Sequence, residues 1–466
     1  MSDNLSYSLQ LWHKNRKAFL LWGGLVLLIY TALVGYHAFE GKWLRTALLL
    51  MAPALLMVIS MPRVAFVQYV LSLFVNVMVL PSMAIILIDV SAVILILAAV
   101  VDVLLRPERI PKVPLLTGNY VILFIALFVC AVFGHDFMVS VRSTLRIAAL
   151  AVTLMALVRL GRYFSLRDLV RLYFWVAVVN GIIALVPFVA SGGQMRSFAL
   201  APTLLDDLLA LALPIGVSLL LWQKRHGAYP YIFGCLVILG ALAATQSRAS
   251  ILVALVFSAI VFFYSWRKAP QLGRKDPTPG IIRKRVWLTV LMGVALIVIA
   301  AVALSGFLEN LLWRFERLFS TTPKDTILAR LALWKYAWMS FLSNPITGIG
   351  PGNFRYIQDI FYQSTLDPVY FYVRGYSAHN LTIHYLAETG ILGTSAMLAL
   401  FVRQFLLARK GWNRLTSAAD VPVKLALLVV SGLFLFTTFV EAGWMWAATG
   451  HIFIFFAAAI VRSASE

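Results

Sequence analysis

Cysteine and acidic charge are what this chain has least of. Two cysteines, Cys130 and Cys235, stand among 466 residues, each inside an apolar run. They imply no disulfide framework and exclude a cysteine-based metal site. Acidic residues number 19 against 39 Lys and Arg, and charged residues of both signs make up 12% of the chain. The alternating strands of roughly ten residues that mark a membrane β-barrel are absent. No P-loop, Rossmann fingerprint or nucleophile elbow occurs, which argues against nucleotide-driven transport. No internal repeat, coiled coil or low-complexity tract stands out. Met1–Lys17 is polar, and the first apolar run, Ala18–Tyr36, is long enough to span a bilayer and carries no small-residue cleavage site. A cleavable signal peptide is therefore not expected.

What the chain has in abundance is hydrocarbon. It is 62% hydrophobic, with a mean hydropathy of +0.89, whereas soluble domains are about 45–50% apolar. Apolar runs read as spans near 18–36, 46–61, 64–80, 83–104, 119–133, 145–158, 170–190, 204–222, 230–244, 250–264, 286–305, 382–402, 423–440 and 444–462. The expected fold is all-α: a polytopic transmembrane helical bundle of 12–14 spans, in one domain covering residues 1–466.

The net charge of +20 would suggest nucleic acid for a soluble protein; here membrane topology accounts for most of it, and no nucleic-acid partner is expected. With the N-terminus in the cytoplasm, 26 of the 39 basic residues fall on the cytoplasmic side. The positive-inside rule then favours an even number of spans with both ends inside. Arg267–Arg285, rich in Pro and Gly, reads as a flexible cytoplasmic loop able to touch anionic lipid. The large non-membrane region, Gly306–Ser377, falls outside, and with the approach to the next span it forms a periplasmic loop over residues 306–380. Within it, Thr326–Ser343 has Leu331, Trp334, Trp338 and Phe341 at helical spacing, which predicts an amphipathic helix. Asn344-Pro345 ends it. Gly348-Ile349-Gly350-Pro351-Gly352-Asn353-Phe354 reads as a tight turn.

The basic residues left outside are the chemical lead. Arg142 and Arg146 lie at the outer start of a span, Arg196 in an outer loop, Arg248 in a short outer turn, and Arg330 and Arg374 in the large loop. Guanidinium suits phosphate, because it offers planar bidentate donors and keeps its charge. The plain alternative is ordinary loop arginines and snorkelling side chains; Arg248, held near the boundary by its short turn, favours the phosphate reading. His379 stands where the loop re-enters the membrane. Asn380 or Ser377 can cap the helix that starts near Leu381, and the helix dipole there favours a neutral imidazole. Such an imidazole is a competent general base; equally, the residue could simply pack at a helix start. His384 and Glu388 are spaced i, i+4 as metal ligands can be, but lack a third ligand, so no metal site is expected. Glu388 lies nine residues beyond His379, about 180° around and ~13 Å along a continuous helix. It is expected to pair with a neighbouring helix or to support the helix start. Gly390 and Gly393 allow close packing or a kink.

Arg330-x3-Trp334, Asn344-Pro345-x2-Gly348-x-Gly350-Pro351-Gly352-Asn353-Phe354, His379-Asn380-x9-Gly390-x2-Gly393 and the Ser247-Arg248 turn together resemble the O-antigen ligase/polymerase superfamily. The resemblance implies an inner-membrane glycosyltransferase with its active site at the periplasmic face. The donor would be an undecaprenyl-pyrophosphate-linked glycan and the ligase acceptor a sugar hydroxyl of lipid A–core, with membrane lipids around the chain. It puts the catalytic histidine at His379 and pyrophosphate-binding arginines at Arg196 and Arg248, with Arg142 and Arg146 as further candidates. Asn380, Glu388, Arg330 and Arg374 would support the site. Transfer would invert the anomeric carbon without metal or other cofactor. Ala201-Pro202-Thr203 stands where members often have Pro-Asn. A repeat-unit polymerase using the same donor, and a non-enzymatic transporter, remain the alternative readings.

Overall fold

The structure, a computed structural model, describes residues 58–74, 78–80, 85–107, 116–190, 205–223, 225–245, 247–268, 327–356, 375–415, 417, 419–439 and 447–465. Its elements run α1 Pro62–Ser72, β1 Met78–Leu80, β2 Ile85–Ile86, α2 Leu87–Leu105, α3 Thr117–Val132, α4 Phe137–Gly161, α5 Leu166–Ala190, α6 Leu205–Leu221, α7 Arg225–Thr245, α8 Arg248–Lys268, α9 Ile327–Ser343, α10 Leu381–Asn413, α11 Val421–Thr437 and α12 Ala447–Ser465. The fold is an all-α polytopic bundle. Its one sheet among the described residues is a short antiparallel pair, Met78 opposite Ile86 and Leu80 opposite Ile85.

Five described helical segments are long and apolar enough to cross a membrane: Leu87–Leu105, Phe137–Gly161, Leu166–Ala190, Gly227–Thr245 and Leu381–Asn413. Four shorter apolar segments accompany them: Thr117–Val132, Ser250–Ser265, Val421–Thr437 and Thr449–Ser465. The expected spans 18–36 and 286–305, most of 46–61 and the Arg267–Arg285 loop beyond Lys268 lie outside the described residues. α6 is apolar on nearly every face, and a helix of that kind must be surrounded. It is, by α5, α7, α8 and α11, with Leu208, Ala212, Ile215 and Leu219 fully buried. α10 packs against α3, α9, α11 and α12, and α12 against α4.

The bundle has two chemically distinct ends. At one, helix C-termini expose carbonyls, and cations cap them. Arg159 gives Nη2 to the Asp102 and Arg106 carbonyls at 3.0 and 2.9 Å. Arg462 reaches the Gly161 and Phe164 carbonyls at 2.6 and 2.9 Å, and Arg414 reaches that of Ala464 at 2.7 Å. The buried Asp102 carboxylate takes Arg159 Nε and Arg162 Nη2, each at 2.6 Å, and Arg106 at 3.3 Å. The three guanidiniums there leave this end cationic around a single carboxylate.

The other end carries the starts of α4, α6, α8 and α10. Asp136 caps α4, accepting from Val139 N at 3.0 Å, so α4 begins at Phe137, well before the apolar run near 145. Arg142 and Arg146 therefore stand one turn apart on the helix itself, both exposed. The amphipathic helix expected over Thr326–Ser343 is α9, and it is apolar on two sides. Leu333, Tyr336 and Ala337 are buried against the bundle, while Leu331, Trp338 and Leu342 face outward.

Candidate active site

The site end is built around a break in α10. At Gly390 the backbone takes φ 57° and ψ −158°, which is not helical. A continuous helix would join Ile391 N to Ala387 O and Leu392 N to Glu388 O. Instead, residues 345–350 enter the gap and exchange all four groups. Ile391 N donates to Pro345 O at 2.9 Å and Leu392 N to Ile346 O at 3.1 Å. In return, Ile349 N donates to Ala387 O at 3.0 Å and Gly350 N to Glu388 O at 2.8 Å. Cys130 Sγ, from α3, donates to Thr389 O at 3.3 Å. The break thus leaves these buried polar groups satisfied.

The 348–354 turn is then fixed from two sides. Gly350 has φ 98° and lies so close to Gly134 and Ser140 that a Cβ there would meet both below 3.0 Å. Asn353 is buried and gives Nδ2 to Ser140 Oγ at 2.8 Å and to Ile349 O at 3.2 Å. From α10, the Glu388 carboxylate accepts Gly352 N at 2.8 Å and Phe354 N at 3.1 Å. Glu388, expected to pair with a neighbouring helix or to support the helix start, instead has the N–H groups of the glycine-rich turn as its backbone partners.

His379 lies just ahead of α10 at φ 48°, and no other non-glycine residue among those described has positive φ. Both neighbours are pinned. Asn380 is the N-cap: its side chain accepts from Ile383 N at 3.0 Å and donates to Phe439 O at 2.7 Å. Thr382 N adds a bond to Thr438 O at 3.0 Å, so the end of α11 holds the start of α10. On the other side, Ala378 is wholly buried. Its carbonyl accepts from Trp334 Nε1 at 2.8 Å, and its N–H donates to His384 Nδ1 at 3.3 Å. With both flanking peptides held, His379 keeps a left-handed conformation that only a minority of non-glycine residues adopt. It remains partly exposed.

His384 Nε2 lies 3.1 Å from Glu388 Oε1, a close contact without hydrogen-bond alignment. The Phe354 ring meets the His384 ring edge-on at a centroid distance of 5.0 Å. The i, i+4 pair is thus committed to backbone donors. Among the described residues, no group of three or more His, Cys, Asp and Glu is placed to hold a metal ion.

Of the other expected residues, Arg248 is the first residue of α8. Beside it, Ser250 Oγ donates to Asp206 Oδ2 at 3.0 Å in the first turn of α6, the helix that the Arg196 segment leads into. Arg330 is exposed on α9. Arg196 and Arg374 lie outside the described residues. Residues that sequence reasoning passed over are Trp334 in a holding role, Ser140, Cys130 and the Thr438–Phe439 carbonyls. Trp334 was visible as part of the Arg330-x3-Trp334 spacing; the others give no local signal.

Residues 233–398 match the O-antigen ligase family model. The match supports the O-antigen ligase superfamily and implies a membrane glycosyltransferase-like enzyme of ligase or polymerase type. The matched region runs from α7 into α10. It contains Arg248, Arg330, the 344–354 turn, His379, Asn380 and Glu388, while Arg142, Arg146 and Arg196 precede it. No curated protein matches the chain.

Proposed function

We propose that the chain is an O-antigen ligase. In this reading it transfers a glycan from undecaprenyl pyrophosphate to a sugar hydroxyl of lipid A–core, at the periplasmic face of the bacterial inner membrane. The observation that carries it is His379: a partly exposed imidazole in a left-handed conformation, pinned on both sides, inside the ligase-family region. Non-glycine residues at such angles cluster at functional sites.

His379 acts as general base. It takes the proton from the acceptor hydroxyl as that oxygen attacks the anomeric carbon. The bond from that carbon to the pyrophosphate oxygen breaks, and the leaving group departs as undecaprenyl pyrophosphate. Attack from the face opposite the leaving group inverts the centre. The charge developing on the phosphate is met by guanidiniums, with Arg248 and Arg196 as the principal pair, Arg142 and Arg146 as further donors, and Arg330 and Arg374 in support. Fixed cationic donors of this kind are worth roughly 3–4 kcal/mol each in the transition state, so the reaction needs no divalent metal. The cationic end of the bundle is cytoplasmic, in keeping with the positive-inside rule, as are both termini. Residues 306–380 form a periplasmic loop within a single domain covering 1–466.

Two experiments test this. Purified His379→Ala should be folded and inactive in glycan transfer; near wild-type turnover would remove the proposed base. In cells lacking the gene, a ligase predicts lipopolysaccharide without any capping glycan, single repeats included. Retention of single capped repeats would assign the same donor chemistry to a repeat-unit polymerase, which the family match also accommodates.

A further inference from the structure

We propose that Glu388 is the positioning residue for His379, acting through His384 and the Ala378 peptide; the inference rests on His379 being the base. Glu388 and His384 are both nearly inaccessible, at 3% and 1% exposure. A carboxylate so buried is costly unless its oxygens are occupied by donors. Two backbone N–H groups, of Gly352 and Phe354, occupy them, with His384 Nε2 at 3.1 Å from Oε1.

The imidazole roles follow from its other side. Because Ala378 N donates to Nδ1, Nδ1 carries no proton, and the ring's N–H is Nε2, the nitrogen nearest Glu388 Oε1. The Ala378 N–H thus sets the tautomer, and the Glu388 carboxylate, 3.1 Å from Nε2, holds the direction of the ring by close charge–dipole contact rather than by an aligned hydrogen bond. The ring in turn fixes the N–H of the residue before His379, while Trp334 fixes its carbonyl. The same carboxylate orders the Gly352–Phe354 turn, whose Phe354 ring lies edge-on to His384. One side chain thus ties the glycine-rich turn to the peptide that aims the base. A 1 Å misplacement of a catalytic group can cost ~10²-fold in rate.

Glu388→Gln tests the assignment. The amide keeps size and one acceptor oxygen, but its NH2 cannot accept from a backbone N–H, so the turn loses the acceptor of either Gly352 N or Phe354 N, and in the second case His384 Nε2 also faces an NH2 in place of an oxygen. The expected result is a kcat lowered ~10–100-fold with KM for the lipid-linked donor changed less than about threefold, in protein that stays monodisperse and folded. His384→Gln should lower kcat comparably. The double variant should be no worse than the more damaged single one, because both break one relay. A Glu388→Gln kcat within about twofold of wild type overturns the proposal; so does a loss that appears entirely in KM, or full additivity in the double variant. If Glu388→Gln does not yield folded protein, His384→Gln decides alone, since it leaves Glu388 both backbone donors: an unchanged kcat overturns the relay. His379→Ala, assayed alongside, separates the two ideas. Activity retained there sinks the base assignment itself; activity lost there with Glu388→Gln unaffected sinks only the positioning role.

Discussion

Replacing Gly390 with alanine attacks the break in α10 directly. At φ 57° and ψ −158° the residue lies where essentially only glycine is at ease, and an L side chain there costs ~1–3 kcal/mol. A Cβ would also meet the Ile346 carbonyl and Pro345 O at less than 3.0 Å. Those atoms are backbone and cannot swing aside, so the 345–346 segment must retreat. It would then surrender the bonds to Ile391 N and Leu392 N, each worth ~1 kcal/mol net. Together the cost is on the order of 3–5 kcal/mol, read as a fall in melting temperature in detergent on the order of 5 °C. Straightening the helix offers no escape. It would recover the bonds from Ile391 N and Leu392 N to Ala387 O and Glu388 O, but displace Ile349 and Gly350 and turn Glu388 away from Gly352 and Phe354. By either route, turnover should drop ~10²-fold. Gly375→Ala is the control: φ is 79°, yet nothing lies within 4 Å of the added carbon, so it should lose about 1 kcal/mol and keep its activity. A Gly390→Ala protein with wild-type melting and wild-type turnover would refute the exchange of bonds at the break.

Three further outcomes follow from the proposed chemistry and sidedness. Arg248→Ala should weaken binding of a lipid pyrophosphate analogue and cut turnover, and Arg248→Lys should restore only part of it, since it keeps charge but loses the bidentate fork; unchanged affinity and turnover in the alanine variant would exclude this site. Transfer should survive excess chelator, and a loss restored by magnesium or manganese would overturn the metal-independent mechanism. Cys130 and Cys235 are buried, so a cysteine placed at the exposed Tyr376 should react with an impermeant reagent from the periplasmic side of spheroplasts, and one at the exposed Ala419 only after lysis. The reverse pattern would invert the topology.

What could be read ahead of the structure, and what could not, divides along the range of the interactions. Apolar runs report burial in lipid and need no partner to be recognised, so the all-α bundle and the span-forming helices from α2 onward were legible from hydropathy. α9 was legible for a related reason: its period is local, and Asn344-Pro345 stops it. Asn380 as cap is likewise a rule about four consecutive residues. The start of α4 at Phe137 escaped because hydropathy rises only after Arg146, although Asp136 carries the cap that marks it. The break at Gly390 is different in kind. A glycine inside an apolar helix reads equally as a packing notch or a kink, and deciding between them requires knowing that 345–350, forty residues earlier, supplies the missing donors and acceptors.

Glu388 shows why the site was harder to assemble than the fold. On a continuous helix it points away from His379, and the i, i+4 spacing with His384 suggests a metal before it suggests a clamp. The break leaves Glu388 one residue before the end of the first helical segment, where its carboxylate meets the N–H groups of a turn that hydropathy alone cannot place. The glycines and Asn353 were visible as a spacing, but a spacing states which residues recur, not which atoms meet. Gly350 is glycine because Gly134 and Ser140 press on it. Asn353 is asparagine because one amide must reach both Ser140 Oγ and Ile349 O. Much of that motif therefore serves to hold a turn in a helix break, and its chemistry reaches the substrate only through the residue it positions. Substitutions in the 348–354 turn should accordingly resemble loss of His379 in turnover while differing from it in melting temperature, because they remove packing and hydrogen bonds that His379→Ala leaves in place.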